Sequence, residues 1–375
     1  SYGDRASHNT LLTTLVEQGI PGFVMYLALI FWIMRTMREV RRGPPGPEPW
    51  MPPRSTPCSP FDAETGLMGS GRVIAAHGRH FLVDDGTTVV ECVMRGKKTG
   101  LVCGDRVRFS QSHAGGGVIE EVAPRDNLLY RSDALRSKLI AANLDQAAVV
   151  VAAAPFFREE LMIRCLVACE TADIPVRIVL NKSDLPETSG LAAYLQSYVS
   201  LGYDLITVSA VADVAMLESR LQGRTTVLVG ASGVGKSTLL NRLVPGANAA
   251  TGDISAALDA GRHTTTHARM YALAPVASLA DPPPGGSDET KSGHAAGYLI
   301  DSPGMQEFGL RHLDSAALMA AFPEIRARLG QCRFYNCRHL KEPGCAVTEA
   351  ADRGDMLPSR LRVYQSLLGQ LPAGN

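Results

Sequence analysis

Apolar and polar positions follow different rhythms along the 375 residues of this chain. Ile20 to Met34 is an uncharged apolar run, closed by Arg35, Arg38, Arg41 and Arg42. Gly43 to Pro60 is dense in proline and has no apolar period, which reads as an extended linker. From Leu67 the pattern turns to short β-rich stretches broken by glycine and polar turns. These are Gly71–Ala75, His80–Asp84, Thr88–Met94, Arg106–Ser110 and Gly117–Val122. Five short strands in so little chain predict a small barrel.

From Asp145 strands and helices alternate. Ala147–Ala153 is a continuous apolar run, suited to a strand buried on both faces. A helix is predicted over Glu159–Thr171, a strand over Val176–Leu180, a helix over Leu191–Leu201 and a strand over Leu205–Val208. Val214–Leu221 reads as a helix, Thr225–Val229 as a strand, Ser237–Leu243 as a helix and Tyr298–Ile300 as a short strand. This βαβ rhythm predicts a mostly parallel, doubly wound α/β sheet. Pro275 to Gly297 interrupts it as a polar surface loop, and the chain from Leu313 is helical in character around a cysteine cluster. The expected organisation is a segment 1–42, a linker 43–66, a barrel 67–125, an α/β domain 126–312 and a C-terminal domain 313–375.

Composition narrows the classes. Lysine plus arginine equals aspartate plus glutamate, 37 each, so no global field draws the chain to nucleic acid and any such contact is local. Eight cysteines, three of them within Cys332–Cys345, do not describe a disulfide-stapled secreted fold. The run Ile20–Met34 is shorter than the roughly 20 apolar residues of a full span. Leu11–Val16 and arginine snorkelling extend it. A span would leave everything after Arg35 in the cytoplasm, and the other reading is a buried or interfacial helix. Charges that follow the apolar run argue against a cleaved signal peptide. The chain opens on Ser1, from which a fragment, a processed chain or a fused reading frame is expected.

Gly230-Ala231-Ser232-Gly233-Val234-Gly235-Lys236-Ser237-Thr238 lies between a predicted strand and a predicted helix. Glycines at this spacing let backbone N–H groups close around phosphate oxygens, and the helix N-terminus adds positive potential. Lys236 is the candidate for the β- and γ-phosphates and the Ser237 hydroxyl for Mg²⁺. Asn181-Lys182-Ser183-Asp184 follows an earlier strand. The Asp184 carboxylate can accept both guanine donors, the ring N–H and the amine, a pair that adenine lacks. Ser209-Ala210 follows the next strand, with backbone N–H groups available for the guanine carbonyl oxygen. All three loops end strands, on the edge where open α/β sheets bind ligands. Asp301-Ser302-Pro303-Gly304 ends a later strand; Asp301 is expected to hold Mg²⁺ and the Gly304 N–H to sense the γ-phosphate. His263-Thr264-Thr265-Thr266 lies between these motifs, and one of its threonines, Thr265 or a neighbour, is expected to complete the magnesium shell. Met305 stands where many GTPases carry a water-orienting glutamine, which leaves His263 as the candidate catalytic group.

Cys332, Cys337, His339 and Cys345 offer three thiolates and one imidazole, the donor set of a closed, structural zinc site. Cys165 and Cys169, one helical turn apart, read as core residues. Arg95, Lys97 and Lys98 form a basic loop with two readings, a solvated hairpin tip or a contact to an RNA backbone.

The order of these motifs, base recognition before phosphate loop before switch, resembles the circularly permuted GTPases. The preceding barrel and the following cysteine–histidine site resemble the ribosome small subunit-dependent GTPase A family. So do Asn127-Leu-Leu-Tyr-Arg131, Ala142-Asn-Leu-Asp-Gln146 and Gly261-Arg-His-Thr-Thr-Thr266. The resemblance spans about Leu67 to Leu371 and implies an RNA-binding OB-fold barrel, a permuted GTPase domain and a zinc-binding C-terminal domain. It also implies GTP hydrolysis stimulated by the small ribosomal subunit, late in that subunit's maturation, by a cytoplasmic monomer in contact with rRNA. His263 is then the residue that assists hydrolysis. Ser7-His-Asn-Thr10 and Leu15-Val-Glu-Gln-Gly-Ile-Pro-Gly22 instead resemble the C-terminal part of membrane O-antigen ligase or polymerase proteins. Two further functions stand beside the first. One is a membrane-tethered GTPase switch acting through residues 1–42. The other is a nucleotide-dependent RNA-binding module with little catalysis.

Overall fold

Alternation on two faces explains why the central strands of the sheet are apolar throughout. In the computed structural model, Ala147, Val149 and Val151 of one strand enter one core, while Ala148 and Val150 enter another. The structure describes residues 68–95, 100–111, 116–132, 137–247, 268–274 and 297–371. Residues 1–67, Lys97, Lys98, His263, Thr264, Thr265 and Thr266 lie outside the described residues, as does most of the predicted surface loop. No helix among the described residues is long and apolar enough to cross a membrane.

Five strands form the predicted barrel: β1 (Met68–His77), β2 (His80–Asp84), β3 (Val89–Met94), β4 (Arg106–Gln111) and β5 (Gly117–Val122). β1 pairs with both β2 and β4, which closes the ring β1-β2-β3-β5-β4. Alternating residues such as Val73, Phe81, Val83, Phe109 and Ile119 fill its interior. A two-stranded hairpin follows, β6 (Leu128–Ser132) with β7 (Ser137–Ala142). The sequence reading did not contain it, because its two short runs carry no clear period.

The α/β part comprises β8 (Gln146–Val151), α1 (Glu159–Thr171), β9 (Val176–Leu180), α2 (Thr188–Val199), β10 (Asp204–Thr207), α3 (Ala215–Leu221), β11 (Thr225–Gly230), α4 (Lys236–Leu243), β12 (Arg269–Ala272) and β13 (Tyr298–Asp301). Strand order is β10-β9-β8-β11-β13-β12, parallel except for β12. The antiparallel β12 was not foreseen. Each predicted element is present, with ends moved by up to three residues; α2, for example, begins at Thr188 rather than Leu191.

Four helices complete the chain: α5 (Ser315–Ala320), α6 (Pro323–Arg326), α7 (Ala346–Asp352) and α8 (Pro358–Gln370). They do not build a separate core. Leu318, Phe322, Ile325, Tyr364 and Leu367 share one cluster with Ile163 and Leu166 of α1.

Candidate nucleotide site and metal centre

Parallel strands leave all their C-terminal ends on one edge, and the chain turns there after β8, β9, β10, β11 and β13. The loop after β11 carries Gly230–Ser237. Gly235 caps α4 in the left-handed region, φ +95°, and a Cβ there would overlap the Asn181 amide nitrogen. Glycine is therefore required at that position by conformation and by space. Ser237 and Thr238 sit in the first turn of α4, where backbone N–H groups are unpaired. Lys236 is buried, and its Nζ donates to the Gly230 and Ala231 carbonyls at 2.9 and 2.7 Å.

Asn181 joins the loops. Its Nδ2 donates to Val234 O in the phosphate loop at 2.9 Å, and its Oδ1 accepts from the Ala210 N–H at 3.0 Å. Ser209 Oγ donates to Asp184 Oδ1 at 2.5 Å, which aims an exposed carboxylate off the strand ends. Ser183 N–H donates to Val208 O at 3.1 Å, so the two base-side loops are zipped together. Lys182 has φ +63° and its Nζ donates to Ala154 O at 3.1 Å, in the turn after β8. The Ala210 N–H is thus engaged by Asn181. Val211, absent from the sequence reading, supplies an N–H on the same turn without a partner among the described residues.

Asp301 ends β13, buried, and its Oδ1 has no partner among the described residues. Burial pushes its carboxyl up to about 6 and pushes the Lys236 ammonium down to about 8, while each group's charge opposes the other's shift. An unpaired carboxylate oxygen beside a phosphate loop fits a hard divalent cation or its water. Ser302 Oγ donates to Leu228 O at 2.6 Å and fixes the start of the following segment. A Cβ at Gly304 would lie 3.5 Å from Lys236 Nζ, so this backbone passes directly over the phosphate loop.

Met305 points the other way. Its N–H donates to Gly230 O at 3.2 Å, while its side chain, 4% exposed, belongs to the core shared with α1. The segment after it is gripped by the unforeseen hairpin. Ser132 N–H donates to Gly309 O at 2.9 Å, Arg131 donates to Glu307 O at 3.0 Å, and Tyr130 stacks on His312 with centroids 4.1 Å apart. The Asn127–Arg131 motif was visible in the sequence, but its partner 170 residues and more downstream was not.

Cys332, Cys337, His339 and Cys345 place one ligand atom each within 4.8 Å of the others. Cys332 Sγ lies 4.0 Å from Cys345 Sγ, and His339 Nδ1 lies 3.6 and 3.4 Å from those sulfurs. Tetrahedral zinc with ordinary bond lengths gives edges of about 3.8 Å between sulfurs and about 3.5 Å from sulfur to nitrogen. The four residues can therefore hold one metal ion. Glu342 braces the knuckle by accepting the N–H groups of Arg338, Leu340 and Lys341, and Tyr364 of α8 donates to Arg338 O at 3.0 Å. Cys165 and Cys169 are buried core residues, as expected.

Among the basic candidates, Arg95 is described. It is exposed and donates to Glu120 at 2.6 Å; Arg106 and Arg108 are likewise paired, with Asp126 and Glu121.

A parallel sheet with phosphate and base loops on one edge, the base loops first in the chain, defines a circularly permuted GTPase. A family model described as RsgA GTPase matches residues 122–291. The small ribosomal subunit biogenesis GTPase RsgA of Burkholderia pseudomallei is 47% identical over 323 residues, covering 84% of this chain and 96% of that protein. Its counterpart in Paraburkholderia phytofirmans is 48% identical over 306 residues, covering 80% and 92%. Among solved structures, YjeQ from Thermotoga maritima matches with a TM-score of 0.61 at 27% identity, covering 82% of this chain and all of that one. YloQ, a circularly permuted GTPase, matches at 0.57 and 25%, covering 81% and 95%. The chain belongs to the RsgA GTPase family. The family model does not reach residues 1–42, where the membrane-protein resemblance lies.

Proposed function

We propose that this chain hydrolyses GTP to GDP and phosphate in late maturation of the small ribosomal subunit, with the subunit stimulating turnover. The observation that carries the reading is Asn181, one buried amide that fastens the base-side loops to the phosphate loop. Such a bracket is of use to a ligand with both a purine and a phosphate chain. Asp184 would select guanine, with the unpaired Val211 N–H facing a ring carbonyl. Lys236 and the N-terminal turn of α4 would take the phosphates. Ser237 and Asp301 would hold Mg²⁺, which supplies neutralisation of developing phosphate charge when bound. Thr264, Thr265, Gly304 and His263 keep the roles read from their motif positions.

The knuckle metal is zinc in this reading, since three thiolates and one imidazole favour it over harder ions. It is structural, because the protein fills all four positions. The cellular place is the cytoplasm, where the ribosomal subunit and reduced thiols are found. RNA contact would come from the loop Arg95–Lys98 and from the knuckle, where Arg333, Phe334, Tyr335 and Arg338 are exposed together.

The test is multiple-turnover GTP hydrolysis by the full chain, with and without purified small subunits. A rate that rises at least ten-fold with subunits supports the reading; an unchanged rate counts against the ribosomal part. The buried Met305 favours a second reading, an RNA-binding module with little catalysis. Single-turnover hydrolysis on the subunit separates the two, since such a module would leave GTP intact.

A further inference from the structure

The barrel meets the nucleotide-binding sheet at β12. Ala75 of β1 lies opposite Arg269 of β12, and Arg269 lies opposite Asp301 of β13. One cross-strand row therefore runs from the barrel wall to the carboxylate assigned to magnesium. A second tie, Arg72 of β1, donates to Thr225 Oγ1 at 3.1 Å and lies over the Tyr298 ring at 4.9 Å. Those partners begin β11 and β13, at the end of the sheet away from Asp301.

At the Asp301 end the tie is a thiol. Cys103 Sγ lies 3.3 Å from Ile74 O on β1 and 3.0 Å from Ala268 O, immediately before β12. The side chain is buried, and burial pushes the thiol up to about 12, so it keeps its proton and donates. The backbone around the sulfur is held as well. Cys103 O accepts from the Ala142 N–H at 2.9 Å, and the Gly104 N–H donates to Val73 O at 2.8 Å. A buried cysteine usually serves as a small hydrophobe. This one faces carbonyl oxygens of two different modules; its single proton serves one at a time, the nearer being Ala268 O, and an apolar side chain would offer no donor. Ala268 also stands two residues after Thr266 in sequence.

We propose that Cys103 is a positioning residue for GTP hydrolysis, holding the start of β12, and through its register Asp301, against the barrel. The proposal rests on the GTPase reading above and deepens it. It gives the barrel a short mechanical route to the magnesium ligand, so that what engages the barrel acts on the same strand pair as the cation.

The test compares the full chain with Cys103→Ala and Cys103→Ser. Two readouts are taken: the Mg²⁺ concentration that half-saturates GTP hydrolysis, and amide hydrogen exchange over residues 269–272. Cys103→Ala is expected to raise the half-saturating Mg²⁺ at least three-fold and to speed exchange in β12 at least ten-fold, with β2 and β3 unchanged. Cys103→Ser keeps a donor and is expected within two-fold of the parent in both. Parental Mg²⁺ dependence in Cys103→Ala overturns the proposal. So does a Cys103→Ser protein as impaired as Cys103→Ala, which would show that sulfur packing rather than hydrogen bonding matters. Neither readout requires ribosomes. A chain that hydrolyses GTP without answering to subunits therefore counts against the ribosomal reading alone.

Discussion

Lys236 and Asp301 share one buried site, and burial pulls their titrations toward neutrality from opposite sides. In the proposed site the ammonium would meet phosphate, and it is present below about 8. The carboxylate would meet magnesium, and it is present above about 6. Nucleotide and cation binding are therefore expected to be strongest between those values. As pH falls through about 6 protons compete with Mg²⁺ at Asp301, and as pH rises through about 8 Lys236 loses its charge. Titration of Mg²⁺ half-saturation and GTP affinity from pH 5 to 9 checks both limbs, and Asp301→Asn is expected to abolish the acid limb. In the proposed site, base choice would rest on one oxygen pair at Asp184. Asp184→Asn is expected to weaken GTP at least about 100-fold and to strengthen xanthosine triphosphate, because an amide replaces one acceptor with a donor. Competition binding with both nucleotides measures it.

At the scale of elements, the segment after β13 is held by its backbone and anchored by Met305 beneath it. Glutamine at 305 would bury an amide among apolar neighbours, at a cost of about 1–3 kcal/mol. Met305→Gln is accordingly expected to melt earlier without hydrolysing faster, which thermal denaturation and single-turnover assays decide. The same segment holds structure that local sequence does not encode. Leu128–Ser132 and Ser137–Ala142 are short, and the first meets the carbonyls of Glu307 and Gly309 through the Arg131 side chain and the Ser132 N–H. Backbone carbonyls have no signature in sequence, so neither the hairpin nor its grip on this segment could be read there. The strand β12 was missed for a related reason: four residues supply too few positions for a period of two.

At the scale of the whole molecule, a buried ion pair ties two of the C-terminal helices to each other, and its guanidinium reaches the α/β part through aromatic rings. Arg360 of α8 donates to Glu324 of α6, with Arg360 Nη2 to Oε2 at 2.9 Å. The guanidinium lies within 5.1–5.9 Å of the Phe322, Tyr198 and Tyr203 rings, the last two contributed by α2 and the turn after it. Removing one partner would leave a lone buried charge, at about 3–5 kcal/mol. Arg360→Met is expected to show that loss in denaturant titration, and Glu324→Leu added to it is expected to recover most. Recovery would mark the pair as a device for docking geometry rather than for net stability.

The sequence by itself determined the local chemistry. Glycine spacing around Lys236, the Asn181–Asp184 motif and the donor set Cys332, Cys337, His339 and Cys345 are each written within a few residues. Local backbone conformation and side-chain type suffice to make a phosphate loop or a metal knuckle. The continuous apolar runs likewise announced strands buried on two faces. Tertiary structure alone decided what lies across large sequence separations. It placed Asn181 against Val234, set Cys103 between the barrel and β12, turned Met305 into the core, and set Arg95, Arg106 and Arg108 beside neighbouring carboxylates. Those contacts depend on register and strand order, which are set by how whole apolar faces pack and not by any one stretch of chain.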